Sequence, residues 1–555
     1  MKKNFLMFSI FFLISLLVYA GLHETFYQQD EWHSLGRIHA FGISYVFSDS
    51  SFVNLLLLES RPLARLTNFT FFGLSPLNMT PIFIFAVFFH ALNAFLVYKL
   101  AKHFNMNNII AAIAALFFLL SSSGKQAVLW FGTVAGTLPS TAGILASLYF
   151  YLKYLDSKRR TDATFSILFL ILSLGFKESG LFLLLLFPLL EISKNMIKKK
   201  KLLITAPSII LLLVAIVTFV VKFTSVYFVH DTVTRYISVG SGGGLIRLLW
   251  NTLTFPIESF SQILIPAEVV FPLSRRITES VFSYFETSGY AGLISELIVV
   301  ELVSVLLSFL IIIPLVLLLS RRKEKWPVVF ILLFYFLSFI PYLVLIKPNG
   351  YLESRYYYLA TIPVTFMLGI SFQNLLEKSK KVIKQRNAYL LFSCIIFISI
   401  GLYFMMHISF INDQLNFLKE RGVTQKHILS EITRQHSSLS QKQVFYIESD
   451  HSFIVPNNPL PFQNGIGYTL LVAYAYKNNT DRLNPFLLDN FFWKLGNQGY
   501  FEKKGQGFGF FTDLDEVRKQ IENGKFRKDN ITAFRYDSVR NKIYDITKEI
   551  QGKLE

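Results

Sequence analysis

The stretch LIVVELVSVLLSFLIIIPLVLLL, residues 297–319, holds one charged side chain in 23 positions. A second run, ITAPSIILLLVAIVTFVV at residues 204–221, holds none. About 20 residues of α-helix cross the hydrocarbon core of a bilayer, and both runs are close to that length. A soluble core does not need several helices that are apolar on every side. These runs therefore predict a polytopic α-helical membrane protein.

The overall composition supports a membrane class and excludes others. Of 555 residues, 53% are hydrophobic and 16% are charged, whereas soluble domains carry about 25% charged residues. The net charge of +18 comes mostly from short basic clusters between apolar runs, which is typical of cytoplasmic loops. No basic groove with interleaved aromatic residues stands out, so we expect no nucleic acid as a partner. The single cysteine, Cys394, excludes an intramolecular disulfide and a cysteine-rich metal site.

The basic clusters also predict the topology, because cytoplasmic loops are enriched in Lys and Arg. Neighbouring clusters must be two crossings apart, which gives about eleven spans with the last near residues 388–408. The N-terminus is then cytoplasmic and the C-terminus extracytoplasmic. We interpret Phe5 to Leu22 as an uncleaved anchor, with a cleaved signal peptide as the alternative. A lysine-rich chain without disulfides favours the plasma membrane of a prokaryote, where the chain is multi-pass.

Two charges interrupt a long apolar segment between residues 163 and 192. A single helix there would place the flanking basic clusters on opposite sides of the bilayer, so two short spans are predicted. The first arm, Ala163 to Phe176, rises only about 21 Å at 1.5 Å per residue. That is less than the hydrocarbon core of about 30 Å. We therefore expect Lys177 and Glu178 below the outer surface, where charged side chains are functional candidates.

Another ambiguous segment, Leu245 to Ile265, is apolar but contains Arg247, Pro256 and Glu258. A single crossing here would put the next span on the wrong side. We interpret the segment as an outer interfacial or re-entrant helix, with a true span as the alternative. The glycine run at residues 240–244 before it is a flexible joint, since it lacks the Lys-Ser/Thr ending of a phosphate-binding loop.

The tail after residue 410 differs in character from the rest of the chain. Ile411 to Ile432 has a helical pattern, and Gln443 to Glu448 is typical of a strand. Mixed segments follow, including Phe508-Gly509-Phe510-Phe511. We predict two domains: a transmembrane domain at residues 1–410 and a small extracytoplasmic α/β domain at residues 411–555.

The first outer loop contains Gln29-Asp30-Glu31-Trp32-His33. Adjacent acids beyond a span can be a solvated loop without function. They can also supply a general base that takes a proton from an acceptor. A third possibility is a divalent metal held by Asp30, Glu31 and His33, although three such residues within four positions are weak support.

Cationic residues accompany the acids at the predicted outer ends of several spans. Arg61 follows Glu59 in the first loop and suits bidentate phosphate contact, although a snorkelling arginine is the alternative. Lys177-Glu178 adds a further pair, and Lys347 and Arg355 lie in a late loop. Three tyrosines at residues 356–358 are either an aromatic belt or the lining of a sugar or lipid pocket. Together these residues suit a lipid-linked phosphate donor.

These features resemble the GT-C membrane glycosyltransferases. The resemblance consists of an acidic pair after the first span, an Arg-Pro later in that loop, a Lys-Glu near a middle span and an Arg-Tyr-x-Tyr before a late span. The most similar branch is the protein O-mannosyltransferase-like enzymes of glycosyltransferase family 39 and their prokaryotic relatives, over about residues 1–410. The resemblance implies transfer of a sugar from a polyprenyl-phosphate donor to an acceptor, with inversion at the anomeric carbon. The acceptor is a protein, a lipid or a glycan.

The resemblance also implies roles for individual residues. Asp30 is then the catalytic base, with Glu31 as its acidic neighbour, and Glu178 orients a lysine or contacts sugar hydroxyls. Tyr357 would line the substrate pocket. No cofactor is implied. A competing interpretation is a flippase, polymerase or other transporter of lipid-linked glycan, which would not cleave the donor. The residues implied to hold the donor phosphate are Arg61, Lys177 and Arg355.

Overall fold

The computed structural model shows a bundle of helices followed by a small five-stranded sheet. It describes residues 2–28, 30–47, 61–198, 206–228, 244–282, 290–320, 324–343, 345, 350–383, 385–450, 460–462, 466–478, 481–488 and 498–554. Several features discussed above lie outside the described residues, namely Gln29, Glu59, residues 204–205, glycines 240–243 and Lys347.

Helices make up almost all of the described residues before the sheet. The first nine α-helices in those residues are α1 (Lys2–Val18), α2 (Asp30–Phe41), α3 (Pro62–Asn68), α4 (Thr80–His103), α5 (Asn108–Leu120), α6 (Gln126–Leu129), α7 (Phe131–Ser157), α8 (Arg160–Phe176) and α9 (Leu183–Ile197). The next seven are α10 (Ala206–Phe228), α11 (Gly244–Leu264), α12 (Ala267–Phe282), α13 (Tyr290–Ser320), α14 (Trp326–Leu337), α15 (Ser354–Val382) and α16 (Arg386–Gln435).

Within the described ranges, six helical segments are long and apolar enough to cross a membrane. The apolar run at residues 297–319 lies in α13. Its side chains Leu302, Leu306 and Leu310 are exposed on the protein surface, as lipid-facing residues should be. The class of polytopic helical membrane protein is therefore confirmed. The number of eleven spans and their orientation stay predictions. The six segments are Thr80–His103, Phe131–Ser157, Glu178–Ile197, Glu296–Ser320, Ser354–Val382 and Arg386–Gln435.

The helix ends at the predicted charged pair. α8 stops at Phe176, a 3-10 turn runs from Glu178 to Phe182, and α9 starts at Leu183. α8 packs closely on α7, where a Cβ added at Gly143 would lie 3.0 Å from the Phe169 carbonyl oxygen. α9 packs instead on α10 and α14. The two helices α8 and α9 thus pack on different neighbours, and Lys177 and Glu178 lie at the break between them.

α11 has its polar side turned inward. Its exposed residues include Leu249, Trp250 and Leu253, whereas Glu258 and Gln262 are buried. Gln262 donates hydrogen bonds to Ser304 Oγ of α13 at 3.1 Å and to the Gly350 carbonyl at 2.9 Å. An apolar outer side with a polar inner side suits contact with lipid. The interfacial or re-entrant placement of residues 245–265 stays a prediction.

The C-terminal segment forms the α/β fold that was predicted. Strand order is β2-β3-β1-β4-β5, with β1 parallel to both β3 and β4 and the two edge strands antiparallel. β1 includes the predicted strand at residues 443–448. The strands are β1 (Lys442–Ser449), β2 (Gly499–Lys503), β3 (Gln506–Phe511), β4 (Ile531–Asp537) and β5 (Lys542–Asp545), and the helices are α17 (Gly467–Asn478), α18 (Leu514–Glu522) and α19 (Thr547–Lys553).

α16 joins the membrane part to this sheet without interruption. It spans 50 residues, Arg386–Gln435, and includes both the last predicted span and the predicted helix at residues 411–432. The proposed division at residue 410 therefore falls inside one helix. The two-domain assignment stays a prediction.

The sheet-bearing segment contacts α2, the helix that starts with the acidic pair. Tyr476 of α17 donates a hydrogen bond to the Leu35 carbonyl at 3.1 Å. A ring nitrogen of His39 lies 3.0 Å from Asn484 Oδ1. Between them Gly36 lies against Tyr468, and a Cβ added at Gly36 would be 2.2 Å from the tyrosine oxygen. Buried Tyr468 is held by a hydrogen bond to the Leu487 carbonyl, so it cannot easily move aside.

This close contact makes Gly36→Ala a test of the interface. We expect the free energy of unfolding to fall by about 1–3 kcal/mol, because the added methyl overpacks a filled site. The measurement is the Tm of the purified protein in detergent. Gly401→Ala is the matched control, since a Cβ at Gly401 of α16 meets nothing within 4 Å. Equal Tm values for the two variants would contradict the interface.

Candidate active site

The two adjacent acids at the start of α2 lie in different environments. Asp30 is exposed, whereas Glu31 is fully buried with 0% of its surface accessible. Glu31 Oε1 accepts a hydrogen bond from the Gly132 N–H at 2.8 Å, and its Oε2 accepts one from the Gln28 N–H at 3.3 Å. Gly132 lies in the first turn of α7, whose N–H groups have no partner within the helix. Glu31 therefore caps α7, and Asp30 is left facing outward.

Arg61 and Glu178 form a bidentate pair. Arg61 Nε and Nη2 donate to the two carboxylate oxygens of Glu178 at 2.8 and 2.7 Å. Arg61 is the N-cap of α3 and has φ 37° and ψ 56°, in the left-handed region. A non-glycine residue there is strained, and the following Pro62 further restricts it. With this left-handed conformation at Arg61, the guanidinium lies at the break between α8 and α9, next to Glu178.

Lys177 lies in that break, outside both helices, and its ammonium is buried. Nζ donates to Thr137 Oγ1 at 2.9 Å and lies 6.0 Å from the centre of the Tyr356 ring. Burial lowers the pKa of Lys177 to about 8; Glu178 opposes this shift, and the positive charges of Arg61 and Arg355 add to it. Three cations thus gather around one site, which favours an anionic ligand.

Arg355 links this cluster to the acidic pair. Its guanidinium stacks over the rings of Trp130 and Tyr356, at 4.3 and 4.9 Å from their centres. Its Nη2 pairs with Glu353 and also donates to the Tyr356 hydroxyl at 3.1 Å. The same guanidinium is within electrostatic range of Asp30. We call Arg61, Lys177 and Arg355 the cation cluster.

The pKa of Asp30 is raised above its ordinary value. The main cause is desolvation, because α2 packs against the start of α7 and a Cβ added at Gly132 would lie 3.3 Å from Asp30 Cβ. The positive charges of Arg355 and His33 oppose the increase. A carboxylate with a raised pKa, near cations and open to solvent, is suited to accept a proton.

One predicted site residue does not join the cluster. The Tyr357 hydroxyl is buried, accepts a hydrogen bond from the Leu352 N–H at 2.9 Å and donates one to Gln262. Its neighbour Tyr356 contacts Lys177 and Arg355 instead, and the rings of Tyr342 and Tyr356 are 4.8 Å apart. Sequence reasoning identified the tyrosine run but did not select Tyr356. It also missed Trp130 and Thr137, for which the sequence gives no signal.

The metal alternative gains no support from the described part of the chain. Within those residues, no group of three His, Cys, Asp or Glu side chains is placed to hold an ion. Asp30 and Glu31 differ in burial, and the Glu31 carboxylate already accepts hydrogen bonds from the backbone.

Comparison with known proteins finds similarity only among solved structures. No family model and no curated protein matches the chain. Two crystal structures of ArnT from Cupriavidus metallidurans, one bound to undecaprenyl phosphate and one in the apo state, are each 14% identical to it. The matches cover 96% and 95% of this chain and 92% of each ArnT chain, with TM-scores of 0.36 and 0.34.

Proposed function

We propose that the protein is a membrane glycosyltransferase of the GT-C type, which moves a sugar from a polyprenyl-phosphate donor to an extracytoplasmic acceptor. The observation that carries this proposal is the position of Arg355, whose guanidinium lies over the same Tyr356 ring as the Lys177 ammonium and is within electrostatic range of the Asp30 carboxylate. A transferase of this kind needs such a pair of sites, one for the proton of the acceptor and one for the phosphate of the donor.

The cation cluster supplies the donor site. A phosphate leaves with the electron pair of the broken bond to the anomeric carbon, so charges that neutralise it lower the barrier. Arg61 keeps its Nη1 group for a phosphate, because Glu178 accepts from its Nε and Nη2, and Lys177 presents a buried ammonium that loses little to solvent screening. Glu178 holds Arg61 in place, which limits the entropy lost when phosphate binds.

Asp30 supplies the acceptor site. It takes the proton from an acceptor hydroxyl while that oxygen attacks the anomeric carbon, and polyprenyl phosphate departs on the opposite face. One carbon–oxygen bond forms and one breaks, and the configuration inverts. The acceptor is a protein, a lipid or a glycan, and the mannosyltransferase-like branch is the finer form of the proposal.

The competing transporter is less consistent with where the charges lie. Transporters place charged groups on broken helices near the bilayer midplane. Here Asp30, Arg61 and Arg355 lie at or beside the first residues of helices, and Lys177 lies just after the end of α8. Lys177 does lie at a helix break, but the other three charges lie at helix starts, and this placement suits chemistry at one face of the bundle.

A direct assay separates the two functions. Purified protein in vesicles is supplied with a panel of radiolabelled polyprenyl-phosphate hexoses, mannose included, and with a membrane extract as the acceptor source. The proposal expects release of unlabelled polyprenyl phosphate and transfer of label to the acceptor. Movement of intact glycolipid between leaflets, without cleavage, would contradict it and support the transporter.

The pH dependence of transfer provides a second test. Asp30 must be ionised to act as a base, so kcat/KM should rise with pH through its raised pKa. Arg355 lowers that pKa, and Arg355→Gln should therefore move the acid limb of the profile to higher pH. Lys442→Gln, which removes a charge from the distant Lys442–Glu502 surface pair, should leave the limb in place. A limb that does not move, or moves to lower pH, in Arg355→Gln would exclude Asp30 as the base.

A further inference from the structure

Trp130 lies between the two halves of the candidate active site. The centre of its ring is 4.3 Å from the Arg355 guanidinium carbon, closer than the ring of Tyr356 at 4.9 Å. Two residues further along the chain, a Cβ added at Gly132 would lie 3.2 Å from Trp130 Nε1 and 3.3 Å from Asp30 Cβ. One indole therefore stacks on a member of the cation cluster and also lies beside the turn that carries the acid.

The segment that carries this indole is fixed to the start of α15, the helix of the stacked arginine. We call residues 121–130, between α5 and α7, the α5–α7 connection. In this connection the Gln126 N–H donates to Ser354 Oγ at 3.2 Å. A Cβ added at Gly124 would lie 3.2 Å from the Cα of Tyr358, so the two backbones approach closely. The connection therefore cannot easily shift relative to α15.

The main chain of Trp130 is held on both sides. Its N–H donates to the Gln126 carbonyl at 3.1 Å at the end of α6, and its carbonyl accepts from Thr133 Oγ1 at 2.9 Å in the first turn of α7. Earlier in the connection, buried Lys125 pairs with Glu268 of α12. The indole thus projects from a main chain that is anchored to α7, α12 and α15.

The polar contacts of Arg355 leave its orientation to the stacked rings. Its pair with Glu353 and its hydrogen bond to the Tyr356 hydroxyl are both made by Nη2. Contacts through a single nitrogen allow the guanidinium plane to turn about that nitrogen. A flat aromatic face fixes the plane of a guanidinium, because the two planar groups stack and the ring attracts the positive charge. The indole is the nearer of the two faces and therefore defines where the fork points.

We propose that Trp130 is a positioning residue for the transfer reaction, acting through Arg355. The indole holds the guanidinium between the donor phosphate on one side and the Asp30 carboxylate on the other. Because the same segment packs beside Asp30, the distance between the two half-sites is set by one anchored side chain. This inference rests on the proposed function.

A double-mutant cycle with Arg355 tests the positioning role. In the polyprenyl-phosphate hexose assay, Trp130→Leu should lower kcat/KM about tenfold, because the guanidinium is no longer held in one orientation. Trp130→Phe keeps an aromatic face and should stay within about threefold of the wild type. In an Arg355→Gln background, Trp130→Leu should cost less than about twofold, because the group that it positions is gone.

Trp326→Leu is the matched control for loss of an indole. Trp326 is half-buried like Trp130, and the Lys194 ammonium lies 5.8 Å from the centre of its ring. Lys194 is in the last turn of α9, at the opposite end of that helix from Lys177. Trp326→Leu should therefore transfer sugar at the wild-type rate.

The pH profile provides a readout that a purely structural role of Trp130 would not move. Arg355 and His33 are the cations that lower the pKa of Asp30. Release of Arg355 in Trp130→Leu should move the acid limb of kcat/KM to higher pH, in the same direction as Arg355→Gln. An unmoved limb, a wild-type kcat/KM in Trp130→Leu, or an equal loss in both backgrounds would each overturn the positioning role.

The Tm values of the wild type, the two single variants and the double variant distinguish this inference from the proposed function. Stacking in the folded protein predicts that the two Tm changes are not additive. Non-additive changes together with no transfer by the wild type would reject the proposed function and keep the Trp130–Arg355 contact. Additive changes would reject the contact, whether or not the wild type transfers sugar.

Discussion

Asp30→Asn should reduce sugar transfer by about 10³-fold while the amount of folded protein stays unchanged. A positioned general base contributes about 10²–10⁴-fold to a rate, and the amide cannot take a proton. Asp30 is exposed and caps no other element, so its replacement should not disturb the packing of α2. The donor KM should change little, because the cation cluster keeps its charges. The measurement is kcat in the labelled-donor assay, with Tm as the check on folding.

A matched carboxylate control makes this result specific. Asp413 is an exposed aspartate of α16, in the part of the helix beyond the last predicted span. Asp413→Asn should transfer sugar at the wild-type rate. Glu31→Gln is predicted to behave differently from both, because Glu31 is buried and caps α7: it should lower the Tm as well as kcat. Near-normal transfer by Asp30→Asn would show that the base is another group.

Lys177→Met should lower kcat/KM for the donor by about 10²–10³-fold without lowering the Tm. Loss of one preorganised group that stabilises developing charge has an effect of this size. The thioether fills nearly the same volume as the lysine chain, and the substitution removes a buried charge that desolvation already disfavours. Loss of activity with retained stability would separate a role in the reaction from a role in the fold.

Two companions to Lys177→Met sharpen the interpretation. Thr137→Val removes only the hydrogen-bond partner of the ammonium and should cost less activity than Lys177→Met, because the positive charge that neutralises the phosphate stays in the site. Lys442→Met removes one positive charge from the surface of the sheet and should have no effect. If Lys177→Met and Thr137→Val lost activity equally, the ammonium would be acting on Thr137 and not on the donor.

Much of the bundle could be predicted because a bilayer imposes simple rules. Span length and the placement of basic clusters follow from the thickness of the apolar layer and the cost of moving charge, and both are readable along the chain. The break at Lys177 followed from the same rules, since a single helix over residues 163–192 would place the flanking basic clusters on opposite sides of the bilayer. The strand at residues 443–448 was recognisable from its short run of β-branched and aromatic residues, Val444 to Ile447.

The arrangement within the site was harder to predict, because it depends on contacts between distant segments. Asp30 and Glu31 are adjacent and chemically alike, and only the approach of Gly132 makes one a cap and leaves the other exposed. The choice between Tyr356 and Tyr357 depends on the rotation of α15, which is set by the packing of Gln262 from α11. The predicted division at residue 410 was based on a change in composition, but the backbone continues as one helix through that residue.

The continuity of α16 has a mechanical consequence. Residues 402–421 contain neither glycine nor proline, so the helix has no hinge where it leaves the predicted membrane segment. At 1.5 Å per residue its 50 residues form a continuous helix about 75 Å long. A tilt of this stretch of the helix would therefore also move the part of α16 in the predicted membrane segment, and a fragment cut at residue 410 would divide one continuous helix.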